Sequence, residues 1–280
     1  QVRLDPATGH ALEAPRNLWS GTGGKFPEAP HLYHVGEWWY LLIAEGGTER
    51  GHSVSIARSR TPDGPFENNP ANPIYTHRGT NHVVQNAGHA DLVETDDGWR
   101  MVFLGTRPTG ATQSFAQLGR ETYQTRVEWV DGWPVVEPME LTADLPPVVV
   151  ETDLGAPLGM EWIVVRDQRH AWLAHEGRAL VLAARDGEAP GGVEMNHPQP
   201  RFVGRRQQHL AARFAVTAHP GDGVAGLALR YEENAHIEVE VGDGVAQVRV
   251  RLHQITHTWE MPVPDGPVRL WIESVPPEGR

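Results

Sequence analysis

Apolar and polar residues alternate in short runs along most of this chain, and Gly, Asp, Asn and Pro break the runs. A period of two with almost no 3.6-residue period predicts an all-β protein. The clearest run is PHLYHVGEWWYLLIAEGG, residues 30–47. Val35, Gly36 and Glu37 read as a tight turn between a strand HLYH and a strand WWYLLIAE. HSVSIARS, residues 52–59, is a third strand, and TPDGPFENNP is a loop. Upstream, residues 1–4 read as a strand and DPATGHA as a turn. A second strand is expected toward Trp19.

The pattern then recurs. ADLVETDDGWRMVFLGTR, from Ala90, has the same order of short strand, acidic turn and apolar strand. GRETYQTRVEW is the counterpart of HSVSIARS, and Asp131 and Gly132 turn into WPVVEP. His31-Leu32-Tyr33 and Asp91-Leu92-Val93 are equivalent, 60 residues apart. A three- or four-stranded unit repeated at that period predicts propeller blades; two similar hairpins in a sandwich are the alternative. In a propeller the innermost strand of each blade starts near the axis. Glu28 precedes His31, and His89 precedes Asp91, so both come to the mouth of one funnel.

The style changes near residue 142. Leu145-Pro146-Pro147 opens a linker, expected over 142–157 between blades at 1–141 and a second domain at 158–280. From Met160 longer alternating strands are expected. HIEVEV puts Ile237, Val239 and Val241 on one face and Glu238 and Glu240 on the other. VAQVRVRLHQ puts Val248, Val250 and Leu252 inward and Arg249 and Arg251 outward. One apolar and one polar face describe an antiparallel sandwich, with turns at Asn234 and Asp243-Gly244.

Composition narrows the partners. The net charge of -12 disfavours nucleic acid and anionic membranes and is compatible with a neutral sugar. There is no cysteine, which excludes disulfides and thiolate metal sites and favours a cytoplasmic enzyme. No apolar run of about eighteen residues is present to span a membrane. Both ends read as cut from a longer protein.

The strongest chemical candidate is Glu28 in KFPEAPHLY, set between Pro27 and Pro30. The prolines restrict the backbone around it, and Phe26 and Tyr33 can supply a dry wall that raises a carboxyl pKa. That is what a general acid requires; an ordinary surface turn is the plain alternative. Phe115, before LGRET, is a candidate for stacking on a sugar. Trp38 and Trp39 are adjacent in a strand and face opposite ways, so packing between blades is their expected use.

These segments together resemble glycoside hydrolase family 43, in particular its bacterial two-domain β-xylosidases. The resemblance rests on residues 19–59 with KFPEAPHLY, on GHADLVET and FLGTRP, on LGRET, and on LGMEW and RFVGRRQQH in the second domain. It implies a five-bladed β-propeller followed by a β-sandwich. It implies inverting hydrolysis of terminal β-1,4-xylosyl residues from xylo-oligosaccharides, with an α-L-arabinofuranosidase as the near alternative. A non-catalytic carbohydrate-binding module is the alternative from another class. Glu28 falls on the family's general acid and Arg120 on an Arg that contacts the glycone sugar. His89 falls on a His near the funnel axis that in some members contacts a calcium ion or its waters. No cofactor is required, Ca2+ is the candidate ion with His89 as its contact, and a homo-oligomer is expected. Ala29 stands where the family has Gly. The general base and the Asp that tunes the acid belong to blades upstream. Only 27 residues precede Glu28, with Asp5 their one Asp, so the chain is expected to be an inactive fragment.

Overall fold

The structure is a computed structural model describing residues 1–109, 115–141, 148–166, 172–183, 195–221 and 223–275. The chain divides into two compact units, Gln1–Leu145 and Pro146–Arg280. Every named element is a β-strand. Among the described residues no helix is long and apolar enough to cross a membrane.

The first unit holds two four-stranded antiparallel sheets. One runs β1 (Glu28–Val35), β2 (Trp38–Glu45), β3 (Ser53–Ser59) and β4 (Glu67–Asn68) in order. The other runs β5 (Gln85–Thr95), β6 (Gly98–Thr106), β7 (Glu121–Val130) and β8 (Trp133–Val136). The repeat legible in the sequence is therefore a repeat of whole meanders. Three details differ from expectation. The loop at 61–70 contains the short β4. The stretch toward Trp19 forms no strand, and residues 1–27 contribute one isolated bridge, Leu4 to Ala11. There Asp5 closes the turn by accepting from Ala7 N at 2.9 Å and from Thr8 Oγ1 at 2.9 Å. Finally, β5 begins at Gln85 rather than Ala90, because two bulges carry the pairing further back.

The two sheets share one core. Tyr40, Leu42, Val54 and Ile56 meet Leu92, Met101, Phe103 and Val127. Polar contacts stitch the sheets at both edges of that core. Tyr40 Oη donates to the Gly132 carbonyl at 2.6 Å. The Arg58 guanidinium lies 4.1 Å from the ring centres of both Trp38 and Trp133 and donates to the Gly132 carbonyl at 2.9 Å. Leu92 N donates to Tyr33 Oη at 2.9 Å, and His31 Nδ1 lies 3.0 Å from Asp91. Trp39 stacks on His34 with ring centres 4.5 Å apart. Both tryptophans are thus engaged in packing on opposite faces, as their adjacency predicts.

The second unit contains β9 (Trp162–Val164), β10 (Leu173–Glu176), β11 (Ala179–Leu182), β12 (Val203–Arg205), β13 (Ala212–Ala218), β14 (Ala225–Glu232), β15 (Ala235–Gly242), β16 (Val245–Leu252), β17 (Ile255–Pro262) and β18 (Val268–Ser274). The main sheet is β14-β15-β16-β17, and β13 pairs with β18. Strands stay short until Ala212, later than the change expected at Met160. Residues 142–147 of the expected linker lie outside the described residues.

The two faces alternate as expected, with Val239 opposite Val248 and Glu238 opposite Arg249, but burial on them differs from expectation in two ways. Val239 and Val241 do pack inward, against Ala218 and Leu270. Val248 and Leu252, expected inward, are 36% and 55% exposed. Glu238, expected outward, is buried, because charges pair across the strands: it sits opposite Arg249 in register and accepts from it at 3.3 Å. Arg249 also reaches Glu240 at 3.2 Å.

A buried histidine in the first unit makes stability depend on pH. His77 Nδ1 lies 2.8 Å from the Val84 carbonyl and Nε2 lies 3.0 Å from Tyr75 Oη. A carbonyl only accepts, so Nδ1 carries the proton and Nε2 accepts from the phenol. Burial lowers the His77 pKa below 6.5; the Val84 bond opposes this and His82 adds to it. The stabilisation is therefore complete above about pH 6.5 and is lost as pH falls through the lowered folded value. Thermal unfolding at about pH 7.5 and about pH 5.5 is expected to show a lower melting temperature at the acid end. His77→Gln should reduce that difference, and an unchanged difference would assign it elsewhere.

Candidate active site

The site is built by one irregularity that occurs in both blades. Along β1 the register passes from Glu28 opposite Ala44 to His31 opposite Leu42, so the strand carries one extra residue. Along β5 it passes from Gly88 opposite Leu104 to Asp91 opposite Val102, again with one extra residue. The bulged positions match: Ala29 has φ +49° and His89 has φ +53°. Glu28-Ala29-Pro30-His31 is thus the structural equivalent of Gly88-His89-Ala90-Asp91. A bulge bends its strand and re-aims the neighbouring side chains. Here it brings Glu28 and His89 together, with His89 Nδ1 3.4 Å from Glu28 Oε1 and each side chain about half exposed.

A third residue joins them that the sequence did not reveal. His52, just ahead of β3, is buried. Its Nδ1 lies 2.7 Å from the carbonyl of Asn86, which has φ +57° in the other bulge of β5. Nδ1 therefore donates, and Nε2 keeps a bare lone pair with no hydrogen-bond partner among the described residues. Burial is the main cause lowering the His52 pKa; the Asn86 bond and Glu28 oppose it, while His89 and Arg120 add to it. The imidazole is held neutral. Only glycine fits above it, since a Cβ on Gly88 would lie 2.7 Å from the His52 ring atoms. A strand-initial His in HSVSIARS carries no mark of this; Gly88 was the available signal.

Arg120 stands directly before β7 and is exposed. It does not pair with Glu121, which is gripped by Arg107 at 3.0 and 2.8 Å. Among the described residues Arg120 has no ion pair, and its charge acts on His52. Phe115 is 57% exposed and bridges to Thr109. Residues 110–114 between them lie outside the described residues.

One nitrogen or oxygen each from Glu28, His52 and His89 lie within 4.8 Å of one another. This donor set does not fit calcium, a hard cation that takes six to eight oxygens. Two imidazoles and one carboxylate offer a single oxygen-bearing group. What the cluster offers instead is a half-exposed carboxyl group beside a buried imidazole and a second, half-exposed imidazole.

Residues 1–134 match the family model for glycosyl hydrolases family 43, and residues 155–274 match the β-xylosidase C-terminal Concanavalin A-like domain. The chain belongs to glycosyl hydrolase family 43. A non-reducing end α-L-arabinofuranosidase of Bacteroides ovatus is 35% identical, over 89% of this chain and 50% of that one. A xylosidase/arabinosidase of Butyrivibrio fibrisolvens is 48% identical, over 77% of this chain and 45% of that one. The crystal structure of a xylan β-1,4-xylosidase from Bacillus halodurans superposes with a TM-score of 0.82 at 28% identity, covering 98% of this chain and 57% of that one. This family 43 chain spans about half the length of the relatives it matches. Its first unit holds two blades of the five-bladed propeller, and its second unit holds the Concanavalin A-like sandwich.

The fit between His52 and Gly88 yields a direct stability test. Gly88→Ala is expected to destabilise the first unit by about 1–3 kcal/mol, because the buried ring has nowhere to retreat. Denaturant unfolding measures this; a change near zero would show that His52 can leave its seat freely.

Proposed function

We propose that this chain supplies the general acid and a glycone contact of an inverting glycosidase that removes terminal β-1,4-xylosyl residues from xylo-oligosaccharides. The observation that carries this is the meeting of Glu28 with His89 across two equivalent bulges. It sets one carboxyl group, directed and half exposed, at the head of two neighbouring blades.

The chemistry follows from the groups present. Glu28, protonated, gives its proton to the glycosidic oxygen as the bond to the anomeric carbon breaks. A second carboxylate takes a proton from a water on the opposite face, and that water's oxygen bonds to the anomeric carbon. The sugar is released with inverted configuration. Arg120 presents a planar fork of donors suited to paired hydroxyls on the glycone. His52 stays neutral beside the acid, so it adds no fixed positive charge there.

The second carboxylate has no candidate ahead of Glu28 in these residues. Asp5 is committed to its own turn and Glu13 to Arg3 at 3.3 Å. Asp91, on the neighbouring blade, lies 3.0 Å from His31, and this reading looks for the base outside residues 1–280, since the relatives are about twice as long. An α-L-arabinofuranosidase is the second reading, favoured by the name of the Bacteroides ovatus relative. The same acid serves both, because the leaving oxygen needs a proton either way.

The test uses leaving groups. In the protein as its gene encodes it, Glu28→Ala should lower kcat/KM for xylobiose by about 10²–10⁴-fold, the usual contribution of a positioned acid. An aryl xyloside with an acidic phenol needs little protonation and should lose far less. Equal losses on both substrates would make Glu28 structural. The ratio of rates on aryl xyloside and aryl arabinofuranoside separates the two substrate readings, and no turnover of either would favour a binding module.

A further inference from the structure

We infer that Glu45 is a positioning residue for Glu28: its buried carboxylate ties down residues 22–25 and thereby fixes the backbone that presents the acid. The inference rests on Glu28 being the acid.

Glu45 ends β2, next to Ala44, the residue that pairs with Glu28. It is 1% exposed, an unusual place for a carboxylate. No cation neutralises it among its hydrogen-bond partners; backbone and hydroxyl donors do that work. Oε1 accepts from Thr22 N at 2.9 Å and Gly24 N at 3.1 Å, and Oε2 accepts from Thr22 Oγ1 at 2.7 Å. Gly46 N adds a bond to the Lys25 carbonyl at 2.7 Å. Burial would raise the Glu45 pKa, but the Ser55 hydroxyl, and after it the bonds from Thr22 and Gly24, outweigh it and leave the pKa below its ordinary value. The loop is shaped to the carboxylate in return. A Cβ on Gly21 would lie 2.5 Å from Glu45 Oε1, and one on Gly24 would lie 2.9 Å from Glu45 Cβ.

These ties end just where strain begins. Phe26 has φ +53° and Ala29 has φ +49°, so Glu28 sits between two left-handed residues that are not glycine. Such backbone persists only when its surroundings over-determine it. The bulge determines the downstream side through the pairing with Ala44. The upstream side is determined by the loop hung from Glu45. A free loop would let Phe26 relax and would turn the Glu28 carboxyl away from the leaving oxygen.

A structural carboxylate would affect folding and both substrates alike, whereas a positioning residue should reproduce the leaving-group dependence of the acid itself. The test measures kcat/KM on xylobiose and on the aryl xyloside for Glu45→Ala, Glu45→Gln and Thr22→Val, beside Glu28→Ala. Glu45→Ala is expected to lose roughly a hundredfold on xylobiose, as for a reacting group misplaced by about 1 Å, and far less on the aryl xyloside. Glu45→Gln should recover most of the loss, because its amide oxygen still accepts from both backbone donors. Thr22→Val should shift the same way by a smaller factor, and it decides the matter if Glu45→Ala does not fold. Equal losses on both substrates for the Glu45 and Thr22 variants, with Glu28→Ala still discriminating, would overturn the positioning role alone. A Glu28→Ala variant that does not discriminate, or a wild type inactive on both, would overturn the function proposed above and this inference with it.

Discussion

One extra residue at the head of an inner strand is the constraint on which the site depends. A strand without it would continue its two-residue alternation straight to the sheet edge. With it, β1 and β5 each bend at a left-handed residue, Ala29 or His89, and their first side chains turn toward each other. The residue types are suited unequally to that backbone. His and Asn enter the left-handed region more readily than most residues, which fits His89 and Asn86. Ala29 has no such aid, and its φ of +49° is one that glycine would adopt without strain.

Buried polar groups hold this geometry from behind. Arg58, wedged between Trp38 and Trp133, grips the turn that joins β7 to β8. His52 grips the second bulge of β5 through Asn86, and Glu45 grips the loop that leads into β1. Each ties an irregular segment to a regular strand. Irregular backbone at the mouth of the blades is thereby hydrogen-bonded to the sheets behind it.

The sequence showed the blades well because their signal is local. Alternation, Asp-Gly turns and the 60-residue echo of His31 in Asp91 are all read within a few residues. The meeting of Glu28 and His89 was legible, because the two blade-leading segments are equivalent in sequence. His52 and Glu45 were not, because their roles come from partners elsewhere in the sheet: His52 works against Asn86 and Gly88, Glu45 against Thr22 and Gly24. The bulges were hidden for a similar reason, since an extra residue is visible only against the strand it pairs with. In the second unit, alternation put Glu238 on the polar face but did not show that it is buried there beside Arg249. Alternation also placed Leu252 inside, where no neighbour among the described residues fully covers it.

The most direct measurement is the pH dependence of kcat/KM on an aryl xyloside whose phenol is weakly acidic and so still needs the proton, for the encoded protein and for its Glu28→Ala variant. An inverting pair gives two limbs, the acid limb from the base and the alkaline limb from loss of the acid's proton. If Glu28 is the proton donor, the variant keeps the acid limb and loses the alkaline one. A variant that retains both limbs unchanged would place the proton on another residue and contradict the assignment.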